Sequence, residues 1–241
     1  MRTFRLGSVI IPPITASILV VLVACFILSG LVVNFVPAVA AGVAYLPVTT
    51  TDVLNGQVWR LLTYGLLHDL ANPFHLIFNG LMIFFFGRQL EERWSSGRYL
   101  FFLFLTVLVG GLFVVAAGWL RLGTGSALGA SGFAEGLIVA WGLTYRDRDV
   151  RLMFAVPMKG IHMVWVAVFF WVLDAVSMSP TSAAAHLGGM LTAAFLVLGA
   201  WNPNQLKLLW SSVLERIGVK KAPKLYVVPT PSKGSDKKWV N

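Results

Sequence analysis

Residues 14–36 run for 23 positions without a charged side chain. A helix needs about 20 apolar residues to cross a bilayer, and a water-soluble fold has few places to bury so long a segment. Charge-poor runs recur at 73–90, 99–120, 130–145, 161–178 and 183–200. None shows the period-two alternation of a β-barrel span. Only 12% of the residues are charged and 57% are hydrophobic, with a mean hydropathy of +0.78, whereas soluble domains carry about 25% charged residues. The expectation is an all-α membrane protein of six transmembrane helices. Residues 1–13 would be a cytoplasmic N-terminus, 14–200 the membrane domain and 201–241 a basic cytoplasmic tail. The fourth helix would be short and partly buried.

Arg2 and Arg5 before the first run, with Ala38-Val39-Ala40 after it, mimic a secretory signal. The run is longer than the roughly 7–15 apolar residues of a signal, so it reads as a retained span. Cys25, the single cysteine, lies inside it. That leaves no disulfide pair and no zinc motif.

The net charge of +9 would suit a nucleic-acid partner, but its placement has a simpler origin. The N-terminus holds Arg2 and Arg5, and the second-to-third connection Arg88, Arg93 and Arg98. Four more basic residues lie between the fourth and fifth runs (Arg146, Arg148, Arg151, Lys159), and eight in the tail, from Lys207 to Lys238. The alternate connections hold only Arg60 and Arg121 of the 19. Six spans with both termini cytoplasmic therefore satisfy the positive-inside rule. The expected partners are the lipid bilayer and membrane proteins, not nucleic acid. Beyond Lys220, Pro223, Pro229, Pro231 and Gly234 read as a flexible tail, whose lysines suit either water or anionic lipid. The amphipathic stretch VWRLLTYGLLH (58–68) is expected to lie in the membrane interface.

With this topology the second, fourth and sixth spans start in the same leaflet. Their unusual polar residues lie at those starts: His75 and Asn79 on the second, Ser131 on the fourth, His186 on the sixth. Any one alone suits an interhelical hydrogen bond. Four at one depth suggest a site, because intramembrane ionisable groups are usually functional or paired. A serine hydroxyl needs a base to become a nucleophile, and the imidazole of His186 is the candidate. Ser131 opens its span, so its backbone N–H has no helical partner. Such an amide can stabilise an oxyanion. His75 and Asn79, at i and i+4, share a helix face and can donate to the same oxyanion. Gly132-x-x-x-Gly136-x-x-x-Ala140 and Ala185-x-x-x-Gly189-x-x-x-Ala193 would let the two helices close on each other. Gly129, before the serine, belongs to the same small-residue set. The fourth span is too short for the full bilayer thickness, which sinks Ser131 below the outer surface. Water must then reach it through a cavity.

On these residues the chain resembles the rhomboid intramembrane serine proteases. The matching elements are Gly129-Ala130-Ser131-Gly132, Ala185-His186-x-x-Gly189, His75-x-x-x-Asn79 and the loop pair Trp59-Arg60, over roughly 55–200. The resemblance implies a six-helix rhomboid-like bundle and a serine endopeptidase with a Ser131–His186 dyad. His75, Asn79 and the Ser131 amide would assist the oxyanion. Neither cofactor nor metal is implied. The implied substrates are transmembrane proteins cut in or near their spans. The fifth span, with Phe169, Phe170 and Trp171, and the first loop are implied as a lateral gate. Those rings suit lipid contact equally. Two positions depart from the family pattern. Ala193 replaces a frequent glycine. Glu135, four residues after Ser131, replaces an aromatic residue, and reads either as a protonated, idle acid or as a third member orienting His186. Asp174, near the outer end of the fifth span, reads as a snorkelling surface acid or as a group that helps gate or hydrate the cavity. The alternatives are a catalytically inactive rhomboid-like protein that binds or escorts membrane clients, and a transporter with His75, His186 and Glu135 as a relay. A prokaryotic inner membrane, with the active site opening to the outer side, is the expected location.

Overall fold

The computed structural model describes residues 4–6, 9–123, 125–152, 156–177, 180–200 and 202–217. The proline-rich tail beyond 217, with its six lysines, lies outside the described residues, as does Arg2. The chain divides into two compact units, Met1–Gly199 and Ala200–Asn241.

In the first unit a short hairpin, β1 (Phe4–Leu6) and β2 (Val9–Ile11), leads into helix α1 (Pro13–Phe35). Short helices α2 (Pro37–Val43), α3 (Thr50–Leu54) and α4 (Arg60–Thr63) follow, the last continued by a 3₁₀ turn, Tyr64–Leu66. Helix α5 (Pro73–Met82) passes through a π-helical segment, Ile83–Gly87, into α6 (Arg88–Trp94). Then come α7 (Ser96–Trp119), α8 (Ser131–Thr144), an antiparallel pair β3 (Asp149–Leu152) and β4 (Val156–Lys159), α9 (His162–Ser177) and α10 (Pro180–Val197). Helices thus occupy all six expected stretches, and the small hairpins are additions that the apolar runs did not announce. Two helices, Pro13–Phe35 and Ser96–Trp119, have the length and hydropathy of membrane spans in their own right, and His162–Val176 is a shorter apolar helix.

Helix α8 lies at the centre. Ten of its 14 residues are buried, as expected of a helix that is apolar or small on every side. Phe133, Leu137 and Trp141 of α8 pack with Ile83, Leu90, Tyr99 and Phe102, and with Met163, Ala167, Met190 and Ala193. At about 21 Å, from 1.5 Å per residue, it is shorter than a bilayer's hydrocarbon. Neighbouring helices supply the environment it cannot find in lipid. The periphery is the reverse: Val20, Leu28, Trp165, Phe169, Phe170 and Val176 all face outward. Large apolar side chains exposed in such number need an apolar medium around them.

Two buried polar groups pin the periphery. Glu91 of α6 accepts from Ile14 N (3.0 Å), Thr15 N (2.7 Å), Thr15 Oγ1 (2.8 Å) and Ser96 Oγ (2.7 Å). It thereby satisfies amides at the start of α1 that the helix leaves free and ties α1 to α6 and α7. Arg60 is buried in the first connection and donates to the carbonyls of Ala44 (3.0 Å) and Pro47 (2.7 Å) and to Gln57 Oε1 (2.7 Å). It also pairs with Asp52 at 3.3 Å, while Trp59 Nε1 donates to Tyr45 O (3.1 Å). The Trp59-Arg60 pair is thus the internal brace of this connection. The amphipathic stretch 58–68 folds as α4 plus the 3₁₀ turn. Leu61, Tyr64, Leu67 and His68 are buried, whereas Val58, Trp59, Leu62 and Leu66 are exposed.

The second unit contains α11 (Pro203–Arg216), opened by Asn202, whose side chain accepts from Asn204 N at 3.0 Å. The basic tail therefore begins with a capped helix, which the sequence reading had not separated from the rest.

Candidate active site

The turn before α8 is built to aim one hydroxyl. Gly129 has φ +120°, in a region that side-chain-bearing residues rarely adopt. A Cβ there would also stand 2.6 Å from His75 Cε1 and 3.6 Å from Ser131 Oγ. Gly129 is therefore the gap across which the α5 histidine and the α8 serine face each other. The segment is anchored by Gly129 N donating to Tyr64 O (2.9 Å) and by the antiparallel bridge between Val48 and Ala127. The α-helical bonds then start with Ala134 N donating to Ala130 O (2.9 Å). The amides of Ser131, Gly132 and Phe133 consequently have no acceptor within α8.

Ser131 Oγ lies 2.6 Å from His186 Nε2 of α10. The glycines explain the approach. A Cβ on Gly132 would come within 2.8 Å of Ala185 O, and one on Gly136 within 3.1 Å of Gly189 O. A Cβ on Gly189 would run into Gly132 O and C. Backbone meets backbone along this seam, which bulkier residues would wedge open. A second seam, unremarked in the sequence, lies behind it: a Cβ on Gly188 would come within 2.9 Å of Gly110 Cα in α7.

On the other side of the imidazole, Nδ1 lies 3.2 Å from Glu135 Oε1 and 3.2 Å from Asp174 Oδ2. It stands between two carboxylates, within charge-pairing distance of both. A proton on Nδ1 would be held electrostatically by both, leaving Nε2 to accept from Ser131 Oγ. Asp174 is only 22% exposed, so it is not the outward-snorkelling acid expected; α9 turns it inward toward His186. Trp171, one turn earlier, donates from Nε1 to Ala183 O (2.9 Å) and anchors α9 to α10, while Phe169 and Phe170 point outward.

A sequence model of the rhomboid domain matches residues 55–203, a stretch that contains His75, Ser131, Glu135, Asp174 and His186. The chain belongs to the rhomboid family. That family is membrane-embedded. The chain is similar to Rhomboid-like protease 3 of Toxoplasma gondii, 25% identical over 76% of this chain and 65% of that protein. It is also similar to Rhomboid protease GlpG of Pectobacterium atrosepticum, 26% identical over 79% of this chain and 63% of that protein. This rhomboid thus spans just under two thirds of the length of these two relatives.

His75 and Asn79 of this rhomboid diverge in their surroundings. His75 borders Gly129, whereas Asn79 is buried and its Nδ2 donates to His68 Nε2 at 3.1 Å. His68 also packs its ring against His75, with centroids 5.0 Å apart. Burial, and then the neighbouring His75, pull the His68 pKa down to about 4. It is therefore neutral near pH 7 and free to accept the Asn79 amide. The sequence reading missed His68, and the available signal was modest: a histidine closing an apolar run directly before a span that carries two candidate site residues.

Proposed function

We propose that this rhomboid is an intramembrane serine endopeptidase, with Ser131 as nucleophile and His186 as general base. The observation that carries the reading is the 2.6 Å approach of Ser131 Oγ to His186 Nε2, at the amide end of a buried helix. A nucleophile and base within hydrogen-bond reach, with a third group orienting the base, are the signature of an activated hydroxyl.

His186 Nε2 takes the Ser131 proton as Oγ attacks a peptide carbonyl. The charge that develops on the carbonyl oxygen is met by the Ser131 N–H, the positive end of α8, His75 and the Asn79 amide. His186 then returns the proton to the leaving amine. Water, activated by the same imidazole, hydrolyses the acyl-enzyme. Ser131 is half-buried rather than sealed, in keeping with water entry. Glu135 and Asp174 act as positioning residues: their carboxylates hold the Nδ1 proton and stabilise the imidazolium formed during attack, as the third member of a triad does. The dyad thus has two acidic supports, one from the nucleophile's own helix and one from α9.

The remaining features form one picture with this chemistry. Six helices cross the membrane with both termini on the basic, cytoplasmic side, and the site opens to the other face of a prokaryotic plasma membrane. Substrates are membrane proteins cut in or near their spans. The test is cleavage of a transmembrane reporter by the purified protein in liposomes. The wild type should yield two fragments and Ser131→Ala none. An intact reporter with the wild type would favour a client-binding protein without protease activity.

A further inference from the structure

The strongest unassigned feature lies at the far end of the bundle. Helices α5–α6 and α8 both start beside Ser131 and run away from it. Where they finish, Arg88, Gln89, Glu92 and Arg93 of α6 and Tyr145 and Arg148 after α8 enclose a cleft of about 570 Å³. Tyr145 Oη donates to Gln89 O (3.3 Å), which fixes the two walls together.

The cleft holds three guanidinium groups and one carboxylate. Among the described residues none of the three arginines has a carboxylate within 4.0 Å. Their orientation is nonetheless set. The Arg93 and Arg148 guanidiniums lie 5.7 and 5.5 Å from the Tyr145 ring centroid, and Arg88 lies 5.6 Å from that of Phe84. Arg148 Nη1 donates to Gln89 Oε1 at 2.7 Å. Arg88 Nε is buried without a hydrogen-bond partner among the described residues, which is costly unless something completes it. Membrane orientation explains positive charge at this end. It does not explain why three guanidiniums, each held over an aromatic ring, converge on one concavity that has a single carboxylate.

We propose that this cleft binds a phosphate group, carried by the headgroup of an anionic phospholipid. Planar guanidiniums match phosphate oxygens with paired N–H donors. Basic pockets between membrane helices at headgroup level are suited to anionic lipid. The cleft lies at the end of helices whose outer faces are apolar, so a lipid could seat its phosphate here with its acyl chains along the bundle. The inference is independent of the proposed protease activity.

The test titrates the detergent-solubilised full chain with phosphatidylglycerol or phosphatidylcholine and counts bound lipid by native mass spectrometry. A parallel arm adds inorganic phosphate as competitor. The wild type should prefer phosphatidylglycerol, and Arg88→Gln/Arg148→Gln should weaken it by about tenfold or more, the scale of losing one charge-assisted contact. Arg146→Gln removes the same charge from an exposed position outside the cleft and should change binding less than twofold. If the double variant does not fold, Arg148→Gln alone, at an exposed side chain, should give a smaller loss in the same direction. Equal binding of both lipids, or an equal loss in Arg146→Gln, would overturn the proposal. Binding of inorganic phosphate without preference for phosphatidylglycerol would overturn the lipid assignment.

Discussion

Helices α1 and α8 are both apolar, yet they are held in opposite ways. Of the 23 residues in α1, only Thr15, Ala16 and Leu22 are buried, and the helix is fastened at its start by Glu91. Helix α8 is little more than half as long and buries ten of 14 residues, with glycines that bring the α10 backbone into contact. Of the two, the helix that looks more like a membrane span is therefore the less constrained, and the shorter is the more constrained. Chemistry needs side chains fixed to within a fraction of an ångström. Only a helix surrounded by protein provides that.

The largest contrast should come from the donors beside α8. Loss of one oxyanion donor costs roughly 10²–10³ in rate. His75→Ala and Asn79→Ala should each lower kcat for reporter cleavage by that factor, whereas Leu28→Ala, on the outward face of α1, should stay within about twofold. Glycine substitutions sharpen the same comparison. Gly189→Ala forces the α8 and α10 backbones apart and should cost about 10² in activity and ~1–3 kcal/mol in stability, read by cleavage and thermal denaturation. Gly30→Ala on α1, where the new methyl would be an ordinary 3.7 Å from Leu70 Cδ2, should be neutral.

Carboxylates give the next step down. Glu135→Gln should reduce kcat by about tenfold with KM nearly unchanged, as expected of a group acting through His186 in the transition state. Asp174→Asn should cost less, and the double variant more than the product of the two, because each acid covers for the other. Glu91→Gln should do the opposite: it loosens α1 by about 2 kcal/mol and leaves kcat per folded molecule unchanged.

His68 adds a pH dependence of stability, separate from activity. His68 has its folded pKa lowered from 6.5 to about 4, so below pH 6.5 the unfolded chain takes up a proton that the folded protein refuses. The stabilisation is complete above about pH 6.5, is lost as pH falls toward 4, and is flat below that. The thermal midpoint of the wild type should decline over that window more steeply than that of His68→Gln.

The sequence was informative where the physics is one-dimensional. Charge depletion and run length marked the helical stretches, and the small-residue spacing marked the α8–α10 seam. It was silent where contacts depend on how a helix is rotated. Asp174 looks peripheral in an apolar run, and only the roll of α9, pinned through Trp171, turns it toward His186. His68 precedes any helix period, so no pattern indicated that the connection folds back and buries it against Asn79 and His75. The Arg88–Arg148 cleft was visible only as a charge tally, since its shape arises from two segments about 60 residues apart in sequence.

The most direct measurement of the central claim is covalent labelling of the folded protein by a fluorophosphonate probe. A single adduct is expected on Ser131 in the wild type, lost in His186→Ala while Glu135→Gln retains it at a slower rate. Labelling of Ser131 that persists at wild-type rate in His186→Ala would mean that the imidazole 2.6 Å away does not activate the hydroxyl, and would contradict it.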